Sequence, residues 1–147
     1  MPTYGSCQSI EIAASPEDCY RALTDYERLP DWQGAVKEVR VLERDADGHG
    51  TVVEYEVDAK VKTVRYRLAQ VHEFPHRLGS EYLGGDFRDF TGEWRFLEQA
   101  GGGTRVELDL NIDPGRFVPG PVRSVIADVV MKRALADLKA QLEGARV

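Results

Sequence analysis

Apolar and polar residues alternate with a period of two along most of this chain, and only the last quarter changes to a helical period. In residues 4–13, Gln8, Ile10 and Ile12 point one way and Ser9 and Glu11 the other, the pattern of a strand with one buried face. Ser15-Pro16-Glu17-Asp18 then supplies an N-cap, a proline for the first helical position and acid for the first turn. A short helix follows, with Cys19, Tyr20, Ala22 and Leu23 as its apolar residues. Residues 25–32 (DYERLPDW) read as a second short helix or turn, interrupted at Pro30.

From Val36 onward strand follows strand. Residues 36–44 carry Val39 and Val41 inward, and Asp45-Ala46-Asp47-Gly48-His49-Gly50 is a hairpin turn whose Asp and Gly residues tolerate positive φ. Residues 51–59 place Thr51, Val53, Tyr55 and Val57 on one face. A tight turn at 59–62 leads to a strand over 63–74 with Val64, Tyr66 and Leu68 alternating, which Pro75 ends. Residues 77–83 form the next strand, closed by Gly84-Gly85-Asp86. In the long strand over 87–99, Phe90, Trp94 and Phe96 share a face with Gly92. Residues 104–112 alternate most cleanly, with Val106, Leu108, Leu110 and Ile112 in and Arg105, Glu107, Asp109 and Asn111 out.

The period then changes. Residues 119–142 (PGPVRSVIADVVMKRALADLKAQL) predict one long helix, begun by Pro-Gly-Pro and stopped by Gly144. At about 100° per residue, Met131, Leu135, Leu138 and Leu142 share one face. Ala127, Ser124 and Gly120 extend that face with small side chains, while Val122, Ile126 and Val129 lie roughly opposite. Either the small residues roof a cavity, or the helix kinks near 129–131 and both apolar sets reach one core. The order β-α-α-β-β-β-β-β-β-α makes an antiparallel meander, with the first strand pairing at an edge. Its apolar face needs a cover, and the terminal helix, at roughly 35 Å, is the only element long enough. A curved sheet wrapped round one helix encloses space. Gly92, between Phe90 and Trp94, either helps the sheet bend or leaves room for something else.

Composition narrows the chemistry. The 147 residues predict a single domain over 1–147, with apolar content of 42% and charged content of 30%, as in ordinary globular proteins. A net charge of −6 and scattered basic residues argue against nucleic-acid binding. No apolar run has membrane-span length and the N-terminus lacks a signal-peptide pattern, so a cytoplasmic setting with Cys7 and Cys19 as free thiols is expected. His49 reads as a turn residue. His72 and His76 have the i, i+4 spacing of a helical metal pair, but Pro75 and the strand pattern speak against that geometry, and no metal or cofactor is expected. No catalytic set stands out. Tyr55, Tyr66, Tyr82 and Arg88 offer donors that would serve cyclisation chemistry or simply satisfy local hydrogen bonds.

Several strings resemble the START-like superfamily, the helix-grip or birch-pollen-allergen-like fold, and within it the polyketide cyclase / coenzyme Q-binding branch. They are Ser15-Pro16, DYERLPDW at 25–32, VKEV at 36–39, GDFRDFTGEWRF at 85–96, the glycine-rich turn before Thr104-Arg105-Val106, and the terminal helix. The resemblance implies an α+β helix-grip fold: a curved antiparallel sheet of about seven strands around a long C-terminal helix. It also implies a cavity for a lipid, quinone or polyketide-like molecule. The expected role is carrier or sensor, with a polyketide aromatase/cyclase, or an interaction module like the ribosome-acting relative of this superfamily, as alternatives. The expected lining is Tyr55, Val57, Tyr66, Phe90, Trp94, Leu108 and Leu110 from the sheet and Ala127, Met131 and Ala134 from the helix. Trp32 is expected near the mouth, either as pocket wall or as a plug of the core, and the hydroxyls of Tyr55, Tyr66 and Tyr82 as polar anchors. Ala127→Trp is then expected to abolish ligand uptake with little loss of stability. Val122, Ile126 and Val129 would face a second copy of the chain or a membrane if the helix is straight, with protein contact favoured.

Overall fold

The computed structural model describes residues 4–34, 36–58, 63–113 and 120–144, with side chains for 7–34, 36–58, 63–113 and 131–144. Strand β1 (Tyr4–Ile12) is followed by helix α1 (Pro16–Thr24), a 3₁₀ turn (Tyr26–Arg28) and helix α2 (Leu29–Trp32). Six strands come next: β2 (Val36–Arg44), β3 (Gly50–Asp58), β4 (Thr63–Glu73), β5 (Arg77–Gly85), β6 (Asp89–Glu98) and β7 (Thr104–Asp113). Helix α3 (Gly120–Gly144) ends the chain. All seven strands form one antiparallel sheet in the order β1-β7-β6-β5-β4-β3-β2. The meander is as the sequence predicts, with β1 returning to pair with β7, Ile10 opposite Val106.

Local chemistry starts the helices. The Ser15 hydroxyl accepts from the Asp18 N–H at 3.1 Å, and Pro16 sits where no donor is needed. Pro30 does not interrupt the next segment. It occupies the first turn of α2, where a missing N–H costs nothing, so the 3₁₀ turn runs straight into that helix. Strand β5 continues through Gly84 and Gly85 because both adopt positive φ, 133° and 144°. A side chain at Gly85 would run into the Arg65 carbonyl.

The two sheet faces divide by residue type. The outer face carries ion pairs between neighbouring strands: Glu54 takes Arg40 and Arg67, Glu93 takes Arg77, and Arg95 reaches Glu107 while also pairing with Glu93 along its own strand. The inner face and the helices bury Val53, Val64, Leu68, Leu78, Phe96 and Val106 with Leu23, Leu29, Met131, Leu135 and Leu138. The Met131–Leu135–Leu138 face of α3 is thus seated in the core, and Leu142 packs against its edge. The backbone of α3 is helical from Gly120 to Gly144. The side chains of Val122, Ile126, Ala127 and Val129, and the turn at 59–62, lie outside the described residues. Among the described residues no helix is long and apolar enough to cross a membrane.

Candidate functional site

Between the inner sheet face and the helices lies a cavity of about 110 Å³. The period of two along the strands sets its walls. Tyr55 and Val57 of β3, Tyr66, Leu68 and Gln70 of β4, and Leu78 and Ser80 of β5 project into it. Phe90, Gly92 and Trp94 of β6 and Leu108 and Leu110 of β7 complete the sheet side. Leu23 of α1, Leu29 and Gln33 around α2, Val36 of β2, and Ala134 and Asp137 of α3 close it. A Cβ on Gly92 would stand 3.3 Å from the Phe90 ring and 3.4 Å from Leu110, so the glycine lets these two side chains close over the strand.

Aromatic rings pave one wall. Tyr55 and Tyr66 stack at 5.5 Å, Tyr66 and Phe90 at 5.2 Å, and Phe90 and Phe87 at 6.0 Å. A short polar chain crosses this wall. The Ser80 hydroxyl donates to Gln70 Oε1 at 2.5 Å, and Gln70 Nε2 donates to the Tyr55 hydroxyl oxygen at 2.9 Å. The Tyr55 hydroxyl is held well above the usual tyrosine pKa, first by burial and then by the neighbouring Tyr26 and Tyr66. Burial likewise raises Tyr66. Both are therefore protonated donors at neutral pH.

The helical side carries the other polar groups. The Gly34 N–H donates to Asp137 Oδ2 at 2.8 Å, which ties the segment after α2 to α3. The Arg133 guanidinium packs over Gly34, with Nε 4.0 Å from the same oxygen. Gln33 is 8% exposed and lines the cavity.

Eight expected residues stand on the cavity wall: Tyr55, Val57, Tyr66, Phe90, Trp94, Leu108, Leu110 and Ala134. Three do not. Trp32 packs against the edge of the core and borders a surface groove with Asp25, Arg28, Asp31 and Gln141, while Leu29 of α2 and Gln33 just after it, four residues apart, face the cavity. Tyr82 commits its hydroxyl to the Phe87 carbonyl at 2.6 Å, anchoring the bend between β5 and β6. Met131 is fully buried in packed core, and the side chain of Ala127 lies outside the described residues. Arg88 is half exposed and faces Asp113 at 4.0 Å, at the end of the sheet. The sequence reading missed Gln33, Gln70, Ser80 and Asp137. Gln70 had a signal: it follows Tyr66 and Leu68 in the same inward series. Asp137 had a weaker one, three residues after Ala134 on the same helix face.

His72, near the C-terminal end of β4, donates from Nε2 to the Gly50 carbonyl at 2.7 Å and accepts from the Tyr20 hydroxyl at Nδ1, 2.6 Å away. His49 stacks on it at 5.2 Å. His76 lies in the turn after Pro75 and shares no helix with His72. Asp45, Asp47 and His49 cluster on the surface, where Asp45 Oδ1 accepts the N–H groups of Asp47 and His49.

Many solved structures share this architecture. A START superfamily protein from Mycobacterium smegmatis superposes with a TM-score of 0.88 at 20% identity, covering 98% of this chain and 99% of its own. A Thermus thermophilus protein gives 0.81 at 24% identity, with 97% and 99% covered. The ZhuI aromatase/cyclase from Streptomyces sp. R1128 gives 0.83 at 15% identity, with 97% and 94% covered. At these identities the likeness establishes the fold alone. No curated protein sequence matches the chain. The family model for polyketide cyclase / dehydrase and lipid transport matches residues 12–139. The chain therefore belongs to the polyketide cyclase / dehydrase and lipid transport family of START-like, helix-grip proteins.

Proposed function

We propose that this protein binds a hydrophobic or amphipathic small molecule in the cavity between sheet and α3, and acts as a carrier or sensor for it. The observation that carries this reading is the cavity wall: aliphatic and aromatic side chains with a few converging polar groups, as ligand sites require. The state of those polar groups favours binding over proton chemistry. Burial holds Tyr55 and Tyr66 protonated, and Gln70 and Ser80 cannot take up a proton near neutrality. General acid–base work needs a group that titrates near the working pH.

Aromatase/cyclase activity is the second reading. It is supported by the likeness in fold to a structure described as an aromatase/cyclase and by the inward tyrosine hydroxyls, which would steady a developing enolate. Titration with the neutral apolar dye Nile red separates binding from packed core. Saturable fluorescence enhancement that Ala134→Phe abolishes is expected. Enhancement equal in wild type and Ala134→Phe would place the dye elsewhere and remove the support for the cavity.

A further inference from the structure

Gln33 is a polar side chain in an apolar chamber. It is 8% exposed, and its carboxamide has no hydrogen-bond partner among the described residues. Every fully enclosed side-chain nitrogen and oxygen among the described residues has a partner, so the carboxamide keeps some accessible surface, and Gln33 is part of the cavity wall. An amide this far withdrawn from solvent and without a protein partner gains from a ligand group that supplies one. Position explains the placement. Gln33 follows α2 directly, its own N–H bonds to the Leu29 carbonyl at 2.8 Å, and its carbonyl accepts from the Val36 N–H at 2.9 Å. The backbone is fixed on both sides.

Asp137 lines the same cavity and is tied to Gly34, the residue that follows Gln33. Oδ2 takes the Gly34 N–H. Oδ1 is left as an acceptor. The described lining contains no Lys, Arg or His. Arg133 lies beyond Asp137, over Gly34, and offsets part of the carboxylate charge from outside.

These features set a charge rule for the occupant. A carboxylate or phosphate head would face Asp137 with no cation on the wall to meet it, and apolar walls make an unpaired charge expensive. A neutral hydroxyl can donate to Asp137 and accept from the Gln33 amide, satisfying both groups. Resting on the cavity-binding reading above, we infer that the ligand is a neutral amphiphile whose hydroxyl head docks between Gln33 and Asp137, and that anionic counterparts of the same molecule are rejected.

The test uses two probes with one ring system, 1-naphthol and 1-naphthoate, each measured near about pH 7 by calorimetry and by displacement of Nile red. 1-Naphthol should bind at least roughly tenfold tighter than 1-naphthoate, the scale of one hydrogen bond to a charged acceptor. Gln33→Leu should weaken 1-naphthol several-fold while leaving Nile red bound. Asp137→Asn keeps an acceptor for the Gly34 N–H and should narrow the preference by improving 1-naphthoate. In labelled protein, 1-naphthol should shift the Gln33 side-chain amide resonances. Equal or tighter binding of 1-naphthoate overturns the inference, as does an unchanged preference in both variants. If Nile red binds and neither naphthalene does, the head-group site is wrong and the cavity stands. If none of the three binds, the cavity-binding reading itself fails.

Discussion

Replacing Ala134 with Phe distinguishes real room beside α3 from packed core. Ala134 stands on the wall of a cavity of about 110 Å³, which holds several water-sized spheres and so has space for most of an aromatic ring. In a filled core the added ring would force neighbours off their rotamers and cost about 1–3 kcal/mol or more. Here the ring enters existing space, gaining apolar burial while losing side-chain entropy, so the net change should stay within about 1 kcal/mol. For a chain of this size that is a shift in Tm of no more than about 2–4 °C. The control lies one turn on. Leu138 is fully buried, and Leu138→Ala should cost about 3–5 kcal/mol by leaving a void. Thermal and urea unfolding of the two variants, with Nile red binding measured on the same samples, reads both quantities. A loss clearly above about 1 kcal/mol in Ala134→Phe would mean the chamber is closed core, and unaltered dye binding would mean the dye sits elsewhere.

Other consequences are simpler to check. Tyr66→Phe removes a hydroxyl with no partner among the described residues and should change stability by less than about 0.5 kcal/mol, whereas Tyr55→Phe strips Gln70 Nε2 of an acceptor and should cost about 1 kcal/mol in urea unfolding. Gly85→Ala should lose at least about 2 kcal/mol, because positive φ and the Arg65 carbonyl oppose a Cβ together. Gly101→Ala, with positive φ but open space, should lose less in the same unfolding assay. Burial raises the Cys19 thiol from 9.0 to about 11, so the unfolded chain ionises first as pH rises. The stability this thiol contributes is therefore intact below pH 9.0 and lost as pH climbs toward about 11, which unfolding curves of wild type and Cys19→Ala across that range will show. In native protein a thiol reagent should label exposed Cys7 and spare buried Cys19.

The strands were legible because each buries one face, which leaves a period of two that survives in a single sequence. Strand β2 falls on the expected residues, and β7 differs by one position at its end. The departures have local causes. Pro30 looked like an interruption because its position within the helix, first turn or interior, is not visible until the start of α2 is known. Gly84 and Gly85 looked like punctuation, yet they extend β5. The sheet side of the cavity was legible for the same reason as the strands: inward alternation names Tyr55, Val57, Tyr66, Phe90, Trp94, Leu108 and Leu110 together. The helical side was not. Trp32 drew attention by size, while the cavity takes its less conspicuous neighbour Gln33, because a single helical turn decides which of the two faces inward. Met131 and Ala134 sit three residues apart, close enough in angle to be grouped from the sequence, and the packing of α3 puts one in the core and the other on the wall.

The central claim is that the chamber between sheet and α3 exists to hold an apolar guest. Native mass spectrometry of the protein as purified, followed by organic extraction, tests it most directly. Binding in the cavity predicts an added mass that extraction releases as a neutral, hydroxyl-bearing lipid, quinol or polyketide-like molecule, and that is missing from Ala134→Phe. An added mass retained by Ala134→Phe, or a clean apo mass together with failure of the wild-type protein to take up any neutral apolar probe, would contradict it.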